Sequence, residues 1–579
     1  MNKSSLDLLN IIGRGSYENQ RQLAEVSGYS LGKVNMSVRE LTEAGYINRS
    51  LKLTEEGRAF MAENRPERAV ILAAGLGMRM IPINSETPKA LVQVRGEVLI
   101  ERILRQLHEA GITEIYVVVG FMKEAFEYLI DDYGVKLIIN TQYAEKNNLH
   151  SLALAEKYLD HAYVIPGDIL CEDNPFSQYE LYPWYMVSDQ PGNNSNVRVN
   201  RKDELVLTAE NGNRMIGIAY LDHDASHYVR ENLKEYDRMR KHSDDFWEET
   251  LFYEDRMVVY AKVVSHQRAV EIDTYEQLRE IDSQSSQLNG DAIRTAAEAL
   301  NAGTEEIKNI TVLKKGMTNR SFMFECRGTK YIMRIPGEGT EQLISRKQEA
   351  EVYKVIKDKG LSDDIIYINP DNGYKITKFI ENARNCDPMS EHDVSICMKK
   401  LREFHNMHLC VDHTFDIFGL IDFYESLWNG NPSIYRDYKK TKEQVFELKK
   451  YIDSCEKDWC LTHIDAVPDN FIFCGEDVRL IDWEYAGMQD PHVDIAMFCI
   501  YAMYDREHVE KLIDAYFTEG CTKENRIKIY CYIAACGLLW SNWCEYKLTF
   551  GVEFGEYALA QFRYAKDYYR LAVKEMENG

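Results

Sequence analysis

The sequence has no apolar run long enough to cross a bilayer. Its longest, such as Tyr530 to Trp540, fall well short of the ~20 residues a spanning helix needs. The opening residues MNKSSLDLLN lack the apolar centre of a secretory signal, so a cytoplasmic protein without a membrane partner is expected. Positive charge is scarce. There are 69 Lys and Arg against 93 Asp and Glu, a formal net charge of −24, which excludes the broad basic surface that holds nucleic acid non-specifically. The 13 cysteines form no paired CxxC pattern, and reduced thiols in a cytosol fit best. Repeats and low-complexity segments are also missing.

What is present is a chain of 579 residues, too long for one hydrophobic core, so roughly three or four domains are expected. Apolar residues at 45% and charged residues at 28% are the balance of a chain that folds throughout. Residues 1–65 read as short helices, with Leu6, Leu9, Ile11, Leu23, Val26, Val34, Val38, Leu41 and Ile47 at helical spacing. From Arg68 to residue 282, apolar β-branched runs (RAVILAAGLG, IYVVVG, KLIIN, AYVIPGD) alternate with helical stretches, which predicts a parallel α/β sheet. SQSSQLNG, 283–290, reads as a polar linker. Residues 290–382 then read as a small β-rich lobe and 388–579 as a larger helical one. The first segment resembles the winged helix-turn-helix modules of bacterial regulators. Its recognition helix SLGKVNMSVREL offers only Lys33 and Arg39, so strong DNA binding is not expected.

The motif LAAGLGMRM, 72–80, sets a Gly-containing loop directly after a strand, and TPKAL follows at 87–91. Such a loop lets backbone amides approach triphosphate oxygens, while Arg79 and Lys89 supply fixed positive charge. It is not the dinucleotide-binding GxGxxG, because Ala73-Ala74-Gly75 precedes Gly77 and a basic residue follows. With the continuation VQVRGEVLIERILRQL, residues 68–282 closely resemble the sugar-phosphate and alcohol-phosphate nucleotidyltransferases, a Rossmann-like α/β superfamily. The resemblance implies Leu72, Ala73, Ala74, Gly75 and Gly77 at the nucleotide, and Asp168 and Asp273 as Mg²⁺ carboxylates. GFMKEAFEYL and NTQYAEKNNLHSL look like bacterial CTP:phosphocholine cytidylyltransferases, which puts Gly120 and Phe121 near the base and Asn148 and Ser151 on the nucleotide. A quaternary ammonium is held by aromatic faces and acidic groups. Tyr182, Trp184, Tyr185, Trp247, Glu248 and Glu249 are the residues expected around it, with ordinary packing the alternative for each.

A second motif, LTHIDAVPDNFIF at 461–473 followed by LIDWEY at 480–485, has the acid, the Asn five positions on and the later Asp of a phosphoryl-transfer site. Asp465 is the expected base, Asn470 and Asp482 the metal ligands, and Glu484 a further one. With DPHVDIAMFCIYAMYD at 490–505, residues 290–579 strongly resemble choline and ethanolamine kinases, which have a bilobal protein-kinase-like fold. That resemblance makes KKGMTNRSFMF the nucleotide loop, Arg334 a phosphate ligand paired with Glu349, and KITKFIENA the adenine hinge. It also makes Trp540 and Trp543, three residues apart on one helical face, the walls of a choline pocket, against the alternative of a buried core stripe.

The two resemblances meet in one pathway, in which the kinase product is the cytidylyltransferase substrate. The expected protein is a bifunctional enzyme using ATP, CTP and Mg²⁺ to convert choline to CDP-choline, by resemblance for phosphocholine decoration of bacterial surface glycans. The segment QPGNNSNVRV without a tryptophan, and the apolar Ile500, leave ethanolamine open. Two other readings stay open: a regulator sensing CDP-alcohols through former enzyme domains, and a sugar-1-phosphate nucleotidyltransferase fused to an aminoglycoside-type kinase. A homo-oligomer is compatible with all of them.

Overall fold

The computed structural model describes residues 1–192, 195–313, 319–337, 343–475, 477–549 and 554–578. They form two compact units, Met1–Gly290 and Asp291–Gly579.

The first unit opens with four helices: α1 (Lys3–Arg14), α2 (Gln20–Ser27), α3 (Leu31–Glu43) and α4 (Glu55–Glu63). Each begins where a side chain satisfies the free amides of the first turn: Asn2, Asn19, Ser30 and Thr54 accept from them in turn. Between α3 and α4 a bridge pairs Ile47 with Leu53 and makes the wing. Leu8, Leu9, Ile12, Leu23, Val34, Val38, Leu41 and Ile47 close the core. Val26, expected there, is 60% exposed. The module is no separate body. Leu181, far along the chain, completes its core, Glu180 N–H donates to Asn64 O at 3.2 Å, and Lys3 pairs with Asp203 at 2.9 Å.

Behind it lies a ten-stranded sheet, parallel only in part. Arg68–Ala73 runs parallel to Glu114–Val119 and to Ala162–Pro166, and Lys136–Ile139 continues that half parallel. Asn213–Leu221 reverses the direction, and Trp184–Pro191 pairs antiparallel with it, so the uniformly parallel sheet expected from the alternating runs is corrected to a mixed one. The strand interiors are apolar on both faces because both are covered: Ala69 and Ile71 enter one core, Val70 the other. A separate two-stranded ribbon joins Ile169–Cys171 to Ala269–Glu271. SQSSQLNG is not a free linker. Leu288 is buried and its carbonyl accepts from the Tyr275 hydroxyl at 2.6 Å.

The second unit is bilobal. Its small lobe is a five-stranded antiparallel sheet (Lys308–Val312, Asn319–Cys326, Thr329–Pro336, Lys375–Lys378, Ile365–Ile368) with the helix Arg346–Ile356. The large lobe packs helices around Lys523–Leu548, which is buried almost all round, as a helix at the centre of a core must be. The second motif begins in the strand Cys460–Thr462, ends before its paired strand Gly487–Gln489 and includes the hairpin of Phe471–Cys474 with Asp477–Leu480. Among the described residues no helix is long and apolar enough to cross a membrane.

Candidate active sites

In the first unit a cavity of about 490 Å³ opens where Arg68–Ala73 ends. Its floor is the loop Ala74–Gly77, held by Asn84 Nδ2 donating to Leu76 O at 2.9 Å. Gly77 takes φ +58, a left-handed conformation that a side chain resists, and a Cβ there would crowd Lys89 at 3.2 Å. Lys89 is nearly buried, and its ammonium is ringed by Asp168, Asp273 and, at 3.7 Å, Glu271. Burial alone would lower its pKa, but the three carboxylates outweigh that and raise it. Arg79 reaches Asp273 at 3.0 Å from the exposed side. Carboxylate oxygens of Asp168, Glu271 and Asp273 lie within 4.8 Å of one another. Burial, then Asp168, pushes Glu271 up to about 7.

The other wall joins two distant segments. Trp247 N–H donates to Asn148 Oδ1 at 2.8 Å, and Asn147 Nδ2 to Asp244 O at 2.9 Å, so NNLHSL and DDFWEE are stitched together. Ser151 is held by Asn140 at 3.0 Å. Glu248 turns one oxygen to the Tyr185 hydroxyl at 2.8 Å, while its Oε2 is buried with no hydrogen-bond partner among the described residues. Burial pushes its pKa up to about 7.

In the second unit a cavity of about 660 Å³ gathers Arg334, Asp465, Asn470, Asp482 and Glu484 with Tyr485, Tyr501, Trp540, Trp543 and Tyr557. Arg334 makes a bidentate pair with the buried Glu349, with a second contact of 2.8 Å, and Arg346 bridges Glu349 at 3.0 Å and Glu484 at 3.1 Å. Burial alone would raise the Glu349 pKa, but Arg334, then Lys375, holds it down at about 2. Asp465 follows the strand Cys460–Thr462 and accepts from Asn470 Nδ2 at 3.0 Å. Burial, then Asp482 and Glu484, pushes its carboxyl up to about 8.

The loop that presents Asp465 is strained: Ile464, β-branched, sits at φ +70. It is held by Asp494, fully buried, whose carboxylate accepts from Ile464 N–H at 2.7 Å, His463 N–H at 3.1 Å and His405 Nε2 at 2.9 Å. The tryptophans are both buried and cavity-lining. Tyr485 and Trp540 meet edge to face at 5.5 Å, Trp540 and Trp543 at 5.5 Å, and Tyr485 Oη and Trp543 Nε1 have no hydrogen-bond partner among the described residues.

Three family models match: the choline/ethanolamine kinase over residues 310–534, the MobA-like NTP transferase domain over 69–179, and the winged helix-turn-helix DNA-binding module over 1–48. The choline-phosphate cytidylyltransferase of Streptococcus pneumoniae is 30% identical over 229 residues, 37% of this chain and 96% of that one. The chain belongs to the choline-phosphate cytidylyltransferase family. Behind that part stands a choline/ethanolamine kinase domain: Protein LicA of Haemophilus influenzae is 26% identical over 256 residues, 42% of this chain and 95% of that one. The 2-aminoethylphosphonate cytidylyltransferase of Lancefieldella rimae is 42% identical over 113 residues, 19% of this chain and 46% of that one.

In this fused cytidylyltransferase and kinase, several expected residues converge. Leu72, Ala73, Ala74, Gly75, Gly77, Arg79, Lys89, Asn148, Ser151, Asp168, Trp247, Glu248 and Asp273 line the first cavity. Gly120 and Phe121 do not. A Cβ on Gly120 would meet Tyr143 at 2.8 Å and Phe121 N–H donates to Ala74 O at 3.1 Å, so they support the loop from behind. Tyr185 also stands behind the wall, on Glu248, and Glu249 is exposed. Tyr182 and Trp184 are corrected: they face a different cavity. Along a strand successive side chains point to opposite faces, so Trp184 and Tyr185 belong to different cores and cannot share a pocket. Tyr182 instead donates to Asp7 of α1 at 2.6 Å, because YELYPWY is the docking strip for the helix-turn-helix. In the kinase cavity, residues 314–318 of the expected nucleotide loop lie outside the described residues. Glu484 is committed to Arg346 at 3.1 Å and to Asn319 at 3.0 Å. Glu271, Tyr143, Phe246 and Asp494 were not foreseen.

Proposed function

We propose that the second unit phosphorylates choline with ATP and the first couples the phosphocholine to CTP, giving CDP-choline and pyrophosphate. One observation carries the reading: in the kinase cavity the proton acceptor Asp465 and an aromatic cage of Tyr485, Trp540, Trp543 and Tyr557 line a single space. A quaternary ammonium has no hydrogen to donate and is held by ring faces, so a cage beside a base is suited to an alcohol carrying one. Asp465, its carboxyl basic through burial, takes the hydroxyl proton as the oxygen attacks the γ-phosphorus. Arg334, oriented by Glu349, faces the nucleotide phosphates.

In the cytidylyltransferase, Lys89 and Arg79 meet the triphosphate, and the monoester oxygen attacks the α-phosphorus as pyrophosphate leaves. Glu248 and Trp247 take the ammonium head, the unpartnered Glu248 oxygen supplying negative charge beside the cation. Both sites fit Mg²⁺. Asp168, Glu271 and Asp273 offer hard oxygens within 4.8 Å, with Asp168 Oδ1 buried and lacking a hydrogen-bond partner among the described residues. In the kinase Asn470 and Asp482 would hold it, since Asn470 gives its amide hydrogens to Asp465 and keeps its carbonyl oxygen available. When bound, the ion neutralises the phosphate charge that builds up in transfer.

Primary amines are the second reading, favoured by the likeness to the 2-aminoethylphosphonate enzyme. Incubating the full chain with ATP, CTP, Mg²⁺ and choline, ethanolamine or 2-aminoethylphosphonate, with mass spectrometry of products, separates them. CDP-choline as the main product is expected; nucleotide transfer to neither phosphocholine nor phosphoethanolamine would overturn the reading. The helix-turn-helix is read as an appendage rather than a strong DNA binder. Arg39 is paired with Glu43 at 2.7 Å, and Lys33 lies 4.0 Å over Tyr29.

A further inference from the structure

Apart from the cytidylyltransferase cavity, the first unit holds another of about 510 Å³, between α1 and the sheet. Phe176, Trp184, Met186 and Val264 form its apolar wall. Its carboxylates are occupied. Asp7 accepts from the hydroxyls of Tyr29 and Tyr182, Glu180 from Tyr163 at 2.8 Å and Trp184 Nε1 at 2.9 Å, and Asp173 pairs with Arg268 at 3.0 Å.

Two of its cations have no carboxylate partner among the described residues. Arg14, in the last turn of α1, meets the neutral side chains of Asn10, at 3.0 Å, and Ser177. Lys262, on the strand Arg256–Val264, donates to Pro175 O at 2.9 Å and lies 3.8 Å over the Trp184 ring. Burial lowers the Lys262 pKa; Glu180 opposes this, and the charge of Arg14 adds to it. Two like charges from different elements thus face one space, neither of them held in an ion pair among the described residues, while Glu180 and Asp7 turn to neutral donors. An oxyanion bridging them gains charge-assisted hydrogen bonds on both sides without breaking an existing ion pair.

We propose that this cavity binds a small phosphate-bearing anion between Arg14 and Lys262 and so fastens the helix-turn-helix to the cytidylyltransferase domain. The chemistry suits inorganic phosphate and a compact phosphate monoester alike, the apolar wall giving room for the ester group.

Hydrogen–deuterium exchange on the full chain tests it, with inorganic phosphate in one arm and phosphocholine in the other, each against phosphate-free buffer. Residues 3–14 and 256–264 should slow in the wild type. The anion concentration needed should rise about tenfold or more in Arg14→Gln, whose side chain is exposed and whose fold is therefore safe. Lys262→Met should behave likewise, and exchange around Lys89 should match the wild type in both variants. Slowing in both arms, or with inorganic phosphate alone, identifies the bare anion as sufficient; slowing with phosphocholine alone identifies the ester. No slowing of 3–14 in either arm, or slowing unchanged by both substitutions, overturns the proposal.

Discussion

In the cytidylyltransferase site Lys89 is ringed by three carboxylates from two points of the chain; in the kinase site two guanidinium groups, Arg334 and Arg346, share Glu349 and Glu484, while Asp465 has no ion-pair partner among the described residues. The first arrangement centres charge balance on one nearly buried side chain, with Arg79 reaching Asp273 only from the exposed side. The second spreads it through the small lobe and keeps the base separate, made basic by burial and by its acidic neighbours. Removing one group therefore has different meanings in the two sites. Loss of Lys89 removes the one cation that contacts all three carboxylates and leaves Arg79 on Asp273 alone, whereas loss of Asp465 removes a proton acceptor and leaves the network around Arg334 intact.

The sharpest way to break this comparison is a reciprocal pair. Asp465→Asn should lower phosphorylation of choline by about 10²–10⁴-fold. Conversion of supplied phosphocholine should stay near normal. Lys89→Ala should lower cytidylyl transfer by about 10²–10³-fold and leave the kinase reaction alone. Steady-state rates of each half-reaction decide it, and mixing the two variants should restore CDP-choline formation from choline. If Asp465→Asn abolished cytidylyl transfer in a folded protein, the two-site scheme would fall.

The next test concerns Asp494, which acts on the base only through the backbone it holds. Asp494→Asn replaces one of two acceptor oxygens by an amide that faces donors, which costs about 1–3 kcal/mol for a buried group left unsatisfied. Kinase kcat should fall about tenfold or more, with KM for choline little changed, because the loop and not the cage is disturbed. Unchanged kcat would show that the strained Ile464 turn holds without it.

Much of this layout was legible, and the misses have physical reasons. Asp465, Asn470 and Asp482 were readable because one short loop and hairpin fix them, so spacing carries the geometry. Glu271 stands two residues before Asp273 in a segment beginning as strand, so the period of two that puts both on one face was available in VEIDTYEQL. The same period would have separated Trp184 from Tyr185. Asp494 had no local signal, since its partners His463, Ile464 and His405 lie 30 or more residues away. Nor did YELYPWY, since aromatic residues serve a ligand cage and a buried docking strip equally well. The docking of the helix-turn-helix likewise had no local signal, since Leu181, which completes its core, lies far along the chain.

The separation of the aromatics gives a smaller test within the cytidylyltransferase. Trp247→Leu should raise KM for phosphocholine about tenfold by removing a ring from the cavity wall. Trp184→Phe should leave KM within about twofold, because the ring faces the other core, while lowering Tm through lost packing and the lost bond to Glu180. A tenfold KM change in Trp184→Phe would return that residue to the substrate site.

The mildest effect sharpens the contrast in charge. Glu248 has its pKa pushed up to about 7 by burial, above the ordinary carboxylate value, so the folded protein holds this proton more tightly than the unfolded chain. Its contribution to stability is thus present below the unfolded carboxylate pKa and is lost as pH rises through about 7. Binding of a cation runs the other way. The ionised form is the one that attracts an ammonium, so affinity should improve over the same interval in which stability declines. KM for phosphocholine is expected to fall about fivefold between about pH 6 and about pH 8, a change of about 1 kcal/mol, typical of a partly screened charge pair. Glu248→Gln should flatten that profile at the weaker, low-pH value, while kinase KM for choline, measured on the same samples, keeps its own pH dependence. A profile that stayed steep in Glu248→Gln would assign the titration to another group and remove Glu248 from the recognition of the head group.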